Sequence, residues 1–237
     1  MRSLLSLVLL LLLAGEAAAE PVTLEYFDLP PYSFAEESRP AGPAVELANA
    51  ITTGLDIPLR SEMVPIRRVN FEASNRPVIV AAIFRNPQRE NRYQWIGRLC
   101  TEGFVMTTRA PNPAVDTLDE ARKLKLIGVA AGATNETFLR ERGFTNLDPA
   151  ASIQLEARRL AEGHDDAWFV PRNGALYAWK AAGYDVSLLR FGAPIVPLEV
   201  WMAASNAVPM PLVETLRTRF AEKVKSGAVA AATGCPQ

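Results

Sequence analysis

Val78-Ile-Val-Ala-Ala-Ile83 is apolar at every position. A strand with one wet face alternates apolar and polar residues, whereas a strand covered on both faces does not. This run therefore predicts a strand inside a parallel sheet, with helices above and below it. The chain on either side fits that frame. Upstream, Val22-Thr-Leu-Glu-Tyr-Phe27 alternates as a strand, and Asp28 to Phe34, with Pro30 and Pro31, must be a loop. Gly42 and Pro43 then open a helix in which Ala44, Leu47, Ala48, Ile51 and Leu55 share one face. A strand near Leu59 to Val64 and a short helix near Ile66 to Ala73 lead into the central run.

Downstream the alternation continues. Leu126 to Ala130 predicts a strand, and Gly132-Ala-Thr134 opens a helix running to about Arg142. Ile153, Ala157, Leu160 and Ala161 mark another helix, Ala167 to Val170 a strand, and Arg172 to Ala182 a helix after it. Val213, Leu216, Phe220 and Val224 line a last helix that Gly227 can end. Repeated strand–helix units define an α/β protein with mostly parallel sheets. The Pro/Asn/Ala stretch from Ala110 to Ala114 reads as a loop between two halves.

The N-terminus has the order of an export signal: Arg2, an apolar run from Leu4 to Leu13, then Ala17-Ala-Ala19 before Glu20. The apolar run is too short to span a bilayer, which takes about 20 residues. Cleavage after Ala19 is expected, giving a mature chain that works in the periplasm. Its two cysteines, Cys100 and Cys235, suggest a disulfide in an oxidising compartment; the alternative is two unpaired thiols. Net charge is −1 and the basic residues form no block, so neither nucleic acid nor an anionic membrane is implied.

Several segments, in order, resemble the family 3 extracellular solute-binding proteins. Pro31-Tyr-Ser-Phe34 is similar to the family's early loop and Gly42-Pro-Ala-Val-Glu-Leu47 to its first helix. Arg85-Asn-Pro-Gln-Arg-Glu90 followed by Tyr93-Gln-Trp-Ile-Gly97 resembles a segment of one branch. Gly128-Val-Ala-Ala-Gly-Ala-Thr134 resembles the second-lobe glycine turn, and Leu160-Ala-Glu-Gly-His-Asp-Asp-Ala167 a later family segment. No one piece is specific; their order and spacing carry the resemblance.

The resemblance implies a two-lobed periplasmic-binding-protein-like fold. Each lobe is a small, mostly parallel sheet flanked by helices, and two crossing strands join them. Lobe 1 would comprise 20–105 and 193–237, and lobe 2 106–192. It further implies a small-molecule solute bound between the lobes, an ABC permease as membrane partner, a monomer, and neither cofactor nor metal.

Within that frame Arg89 matches the arginine that holds a ligand carboxylate. A guanidinium can donate two parallel hydrogen bonds and keeps its charge; otherwise Arg89 is a surface residue paired with Glu90 or Asp28. Arg85, at the end of the buried strand, and Arg67 or Arg68, at a helix start, are weaker candidates. Tyr32 resembles the aromatic that packs on the ligand; its alternative is packing between the loop and the first helix. Ala133 and Thr134 offer a helix start suited to an anion, or simple capping. Trp168 lies in a strand near the expected cleft. The other tryptophans read as core.

Two departures matter. Family receptors for amino acids carry an ammonium-binding aspartate where this chain has Pro171, followed by Arg172, and the strand before Arg89 has Ala81, Ala82 and Phe84 in place of hydroxyl residues. Both favour an organic acid, or another anion without an ammonium, as ligand. Catalysis is poorly supported. The single His164 sits beside Asp165 and Asp166, and no nucleophile elbow, zinc spacing or phosphate loop is present. One enzyme alternative shares the family's fold, a cyclohexadienyl dehydratase-like lyase, for which Glu46, Glu90 or Glu199 would have to serve as acid or base.

Overall fold

The computed structural model describes residues 20–72 and 75–235. Residues 1–19, read as the export signal, lie outside the described residues. Strand β1 (Val22–Tyr26) leads through a proline loop into a small hairpin, β2 (Phe34–Glu36) and β3 (Arg39–Ala41), and helix α1 (Pro43–Thr52). There follow β4 (Leu59–Met63), α2 (Ile66–Glu72), β5 (Val78–Arg85) and the long β6 (Tyr93–Arg109). Next come α3 (Leu118–Ala121), β7 (Ile127–Ala130), α4 (Thr134–Glu141), β8 (Leu147–Ala150), α5 (Ile153–Glu162), β9 (Ala167–Pro171) and α6 (Arg172–Ala181). The chain closes with β10 (Leu189–Phe191), β11 (Val196–Ser205), α7 (Met210–Lys225) and α8 (Ala228–Thr233).

The main sheet has the order β4-β1-β5-β11-β6-β9-β7-β8, with β10 on the far part of β6. At one end β4, β1 and β5 are parallel. At the other, β8, β7 and β9 are parallel. Among the described residues the two parallel groups meet through β11 and β6, which pair antiparallel with each other and with β5 and β9 respectively. The protein is thus two α/β halves bridged by two long strands.

The apolar run behaves as its composition demands: Val78 to Ile83 are at most 1% exposed. One face of β5 joins the core under α1, α7 and α8, and the other joins a smaller core under α2. The second half likewise has a core on each face of its sheet, one reached by α3 and α4, the other by α5 and α6. Helix ends follow local chemistry. Ser152 caps α5 and Gly163 ends it in the left-handed conformation. Gly42, at φ +107°, starts α1 where a Cβ would lie 2.6 Å from the Tyr32 carbonyl oxygen. Only glycine admits that approach, and the Ala44 N–H then bonds the same carbonyl.

Cys100 and Cys235 are bonded, tying the C-terminal α8 to the middle of β6. The loop after Arg109 differs from expectation. The crossing between halves happens earlier, inside β6, so residues 110–114 follow the crossing and belong wholly to the second half. A long strand can carry the chain between two sheets without any irregular linker.

Candidate functional site

Strand register locates the cleft. Arg85, the last residue of β5, lies across from Glu199 of β11, which lies across from Thr101 of β6. Pro171, the last residue of β9, lies across from Phe104 of β6, which faces Val196 of β11. The C-terminal ends of both parallel groups therefore converge on the same short stretch, Thr101–Phe104 with Val196–Glu199. Ligands of open α/β sheets sit beyond such strand ends. A cavity of about 430 Å³ opens there in the first half, lined by Phe27, Asp28, Met63, Val64, Pro65 and Ile66, at the ends of β1 and β4. A second cavity, of about 470 Å³, lies between the β2–β3 hairpin, α1 and Ala232, away from the strand ends.

Arg85 and Arg89 both sit at the mouth of β5, with different surroundings. Arg85 donates through Nε to Glu90 at 2.9 Å and also through a terminal nitrogen. Its guanidinium lies 5.0 Å from the Trp95 ring centre and 4.7 Å from that of Trp201. The pair with Glu90 raises the Arg85 pKa and lowers that of Glu90. Glu90, the partner in the alternative reading of Arg89, is thus paired with Arg85. Arg89 folds back onto the strand, one N–H donating to the Phe84 carbonyl at 3.0 Å. Burial lowers its pKa.

Tyr32 takes the second of its two readings and packs against the first helix. Its ring is 1% exposed and packs in the first-half core. Its hydroxyl donates to Glu102 Oε2 at 2.8 Å and accepts from Asn173 Nδ2 at 3.1 Å. The Asn173 backbone N–H, in the first turn of α6, bonds the other Glu102 oxygen. A loop of the first half, the crossing strand and a helix of the second half are thereby joined through one carboxylate. Tyr32 therefore has no free face for a ligand. Further contacts reinforce this junction: the Phe34 and Tyr177 rings are 5.1 Å apart, and a Cβ on Gly174 would lie 3.5 Å from the Pro30 carbonyl oxygen.

In the second half, Ala133 and Thr134 begin α4 at the end of β7, the side facing the crossing. No side chain caps the helix at Ala133. Glu136 of the first turn accepts from the Gly132 N–H at 2.6 Å and pairs with Arg140. An incoming anion at Thr134 would share the helix start with that carboxylate. Trp168 is displaced from the cleft: it is fully buried in the core under α5 and α6, because its position on β9 turns the ring to the helix-covered face. Pro171 precedes α6, and the Arg172 guanidinium lies over the Phe191 ring at 4.2 Å. The Arg67 side chain lies outside the described ones; exposed Arg68 pairs with Glu62.

The carboxylates weighed for catalysis are occupied or peripheral. Glu199 accepts from the Trp201 indole at 2.9 Å and pairs with Arg98, Glu90 is held by Arg85, and Glu46 lines the hairpin cavity. Asp28 was not singled out from sequence, yet it is the carboxylate in the cleft cavity. Burial raises its pKa; burial also raises that of Tyr177 on α6, with a further contribution from the Asp28 charge. Its signal was positional: it is an acidic residue directly after a strand whose C-terminal end faces the cleft.

No protein-family model matches the sequence, and no curated protein shows significant similarity to it. Solved structures do match. A histidine kinase sensor domain with similarity to periplasmic binding proteins superposes with TM-score 0.74 at 19% identity, covering 90% of this chain and 94% of that one. A mutant of the arginine-binding protein ArgBP from T. maritima gives TM-score 0.74 at 16% identity, covering 89% and 93%. The GluR0 ligand-binding core from Nostoc punctiforme, in complex with L-glutamate, gives 0.73 at 16%, covering 90% and 97%. The chain has the two-lobed fold of the periplasmic binding proteins. Among the described residues, no helix is long and apolar enough to cross a membrane.

Proposed function

We propose that this protein is a periplasmic solute-binding protein that closes on a small anionic solute, an amino acid or organic acid, and delivers it to an ABC-type permease. The observation that carries the reading is the convergence of both sets of strand ends on one pair of crossing strands. That geometry supports a shared cleft beside the two strands that connect the halves among the described residues, where bending changes the cleft most. The crossings at Thr101–Phe104 and Val196–Glu199 support lobes near 20–105 with 193–237 and 106–192. Solute that touches both lobes favours the closed population by its differential affinity. Arg89 is the proposed carboxylate clamp, with Arg85 at the same mouth and the backbone of Ala133 and Thr134 opposite. The arginine-binding and glutamate-binding neighbours support the solute class. With Pro171 at the family's ammonium-binding position, an acid without an ammonium is the preferred ligand; Asp28 is the carboxylate that would serve an amino acid instead.

The test is a thermal-shift screen of mature protein against amino acids and the matched organic acids, followed by calorimetry on hits. Arg89→Ala should weaken binding by a few kcal/mol, the effect of losing a buried charge-assisted contact. Unchanged affinity removes Arg89 from the site. An amino acid binding tenfold or more tightly than its matched acid, a difference of about 1.4 kcal/mol, overturns the preference for an ammonium-free ligand. Turnover of prephenate or arogenate would replace binding with catalysis.

A further inference from the structure

On the second half, away from the cleft, the sheet carries a group of side chains that the binding function does not use. Asp148 of β8 and Gly128 of β7 are cross-strand partners near the N-terminal ends of their strands. Asp165, just before β9, reaches over Gly128: a Cβ there would lie 2.7 Å from Asp165 Oδ2. Glycine at 128 therefore makes room for a carboxylate. Asp165 is 2% exposed, and its Oδ2 has no hydrogen-bond partner among the described residues. The Asp148 carboxyl lies against it. His164 Nδ1 is 3.1 Å from Asp165 Oδ1 and 3.3 Å from Asp148 Oδ2. The ligand atoms of all three residues lie within 4.8 Å of one another.

Two features ask for a cation in their midst. One ring nitrogen has a single proton or a single lone pair, yet it faces oxygens of two different carboxylates. A metal on that lone pair binds both. With bonds of about 2.0–2.1 Å to a tetrahedral ion, the separation between two ligand atoms is about 3.3 Å, which is the spacing His164 keeps to each oxygen. Charge points the same way. Among the described residues the two carboxylates in contact face one fixed cation, Arg159, whose terminal nitrogen is 2.9 Å from Asp148 Oδ2. One negative charge is left over in a nearly dry place, where an unmatched charge is costly. The imidazole is 55% exposed, so an ion can reach the group from solvent.

We propose that Asp148, His164 and Asp165 form a site for a divalent first-row cation of the Zn2+ class, the ions that an imidazole with two carboxylates suits. Bound there, the ion fastens the edge strand β8 to the Gly163–Asp166 turn, at the opposite end of the sheet from the cleft. The proposal is independent of solute binding.

The experiment uses mature protein without a histidine tag, dialysed against EDTA and then metal-free buffer. It is titrated by calorimetry with ZnCl2, MnCl2, CaCl2 and MgCl2, and thermal melts are recorded with each. One Zn2+ per chain, a raised melting temperature, and weaker binding of Ca2+ and Mg2+ are expected. His164→Ala should lower Zn2+ affinity at least about tenfold, with a small drop in the metal-free melt from the lost hydrogen bond to Asp165. Asp165→Asn should abolish the Zn2+ response without destabilising the metal-free protein, because it removes a buried charge. Absence of stoichiometric Zn2+ binding by the wild type overturns the site, as does unchanged affinity in both variants. A shift of the melt with pH alone, with no response to metal, would mean that a shared proton, not a metal, joins the carboxylates.

Discussion

Glu102 is the most informative position to perturb, because one carboxylate on a crossing strand holds both halves. Glu102→Leu removes two acceptors at once. It leaves the Tyr32 hydroxyl and the Asn173 backbone N–H without their partner. Hydrogen bonds to a charged group contribute about 1.5–3 kcal/mol each, and an orphaned buried donor costs about 1–3 kcal/mol. Leucine also relieves the burial of a charge, so the expected net loss is about 2–4 kcal/mol in urea unfolding. Tyr32→Phe removes one donor of the same group and should cost about 1 kcal/mol. The double variant should lose less than the sum, because both substitutions break the same contact. Because the contact spans the halves, Glu102→Leu should also enlarge the radius of gyration by small-angle scattering. Glu102→Gln isolates the charge. Burial raises the Glu102 pKa above its usual 4.5, despite the opposing bonds from Asn173 and Tyr32. A raised folded pKa means that this contribution is full below about 4.5 and is lost as pH rises through the folded value. Wild-type stability should therefore fall relative to Glu102→Gln as pH increases over that window. Glu102→Leu within about 0.5 kcal/mol of wild type, or strict additivity with Tyr32→Phe, would refute the junction.

Other outcomes follow from single features. Cys235→Ser should lower stability by up to about 5 kcal/mol, the chain-entropy value for a loop of this length, since the disulfide separates residues 135 apart in sequence; denaturant unfolding reads it, and a loss under about 1 kcal/mol would mean that the α8 segment stays docked unaided. Arg85→Lys keeps the charge but loses the two-pronged pair with Glu90 and both ring contacts. Because the arginine side chain is 31% exposed and Glu90 44%, screening keeps the cost small, and thermal melts at low and high salt should show a modest loss that shrinks as salt rises.

The parts of the fold that were legible in sequence are those set by burial on both faces. Val78–Ile83, the α1 face and the Gly132 turn each carry a local periodicity or a conformational need that few other arrangements satisfy. The long strand β6 was not legible in that way. Its seventeen residues, Tyr93–Arg109, mix Arg98, Thr101, Glu102 and Gly103 among apolar residues, because the strand leaves one sheet, crosses open ground and enters another. No single pattern describes a strand with three environments, whereas Ala110–Ala114, rich in breakers, reads as a loop between halves. β8 was missed for a related reason: Asp148 and Pro149 lie within its four residues, and only an edge strand with a polar task tolerates both.

Side-chain destinations were harder to read than elements, and Tyr32 and Trp168 show why. Both are large aromatics at positions where a ligand platform would be useful, and both are core. Tyr32 finds partners for its polar tip in Glu102 and Asn173, residues 70 and 141 positions away in sequence, and the Trp168 ring is set by its burial in the core under α5 and α6. Asp28 illustrates the reverse. Nothing in its neighbours advertises a role, and its importance comes wholly from the direction of β1. A parallel strand that ends toward the crossing delivers its next side chain to the cleft, whatever that side chain is. On the function proposed above, a carboxylate so delivered would set the charge of the cleft together with Arg89, and the choice between a zwitterion and a plain anion would rest on those two groups.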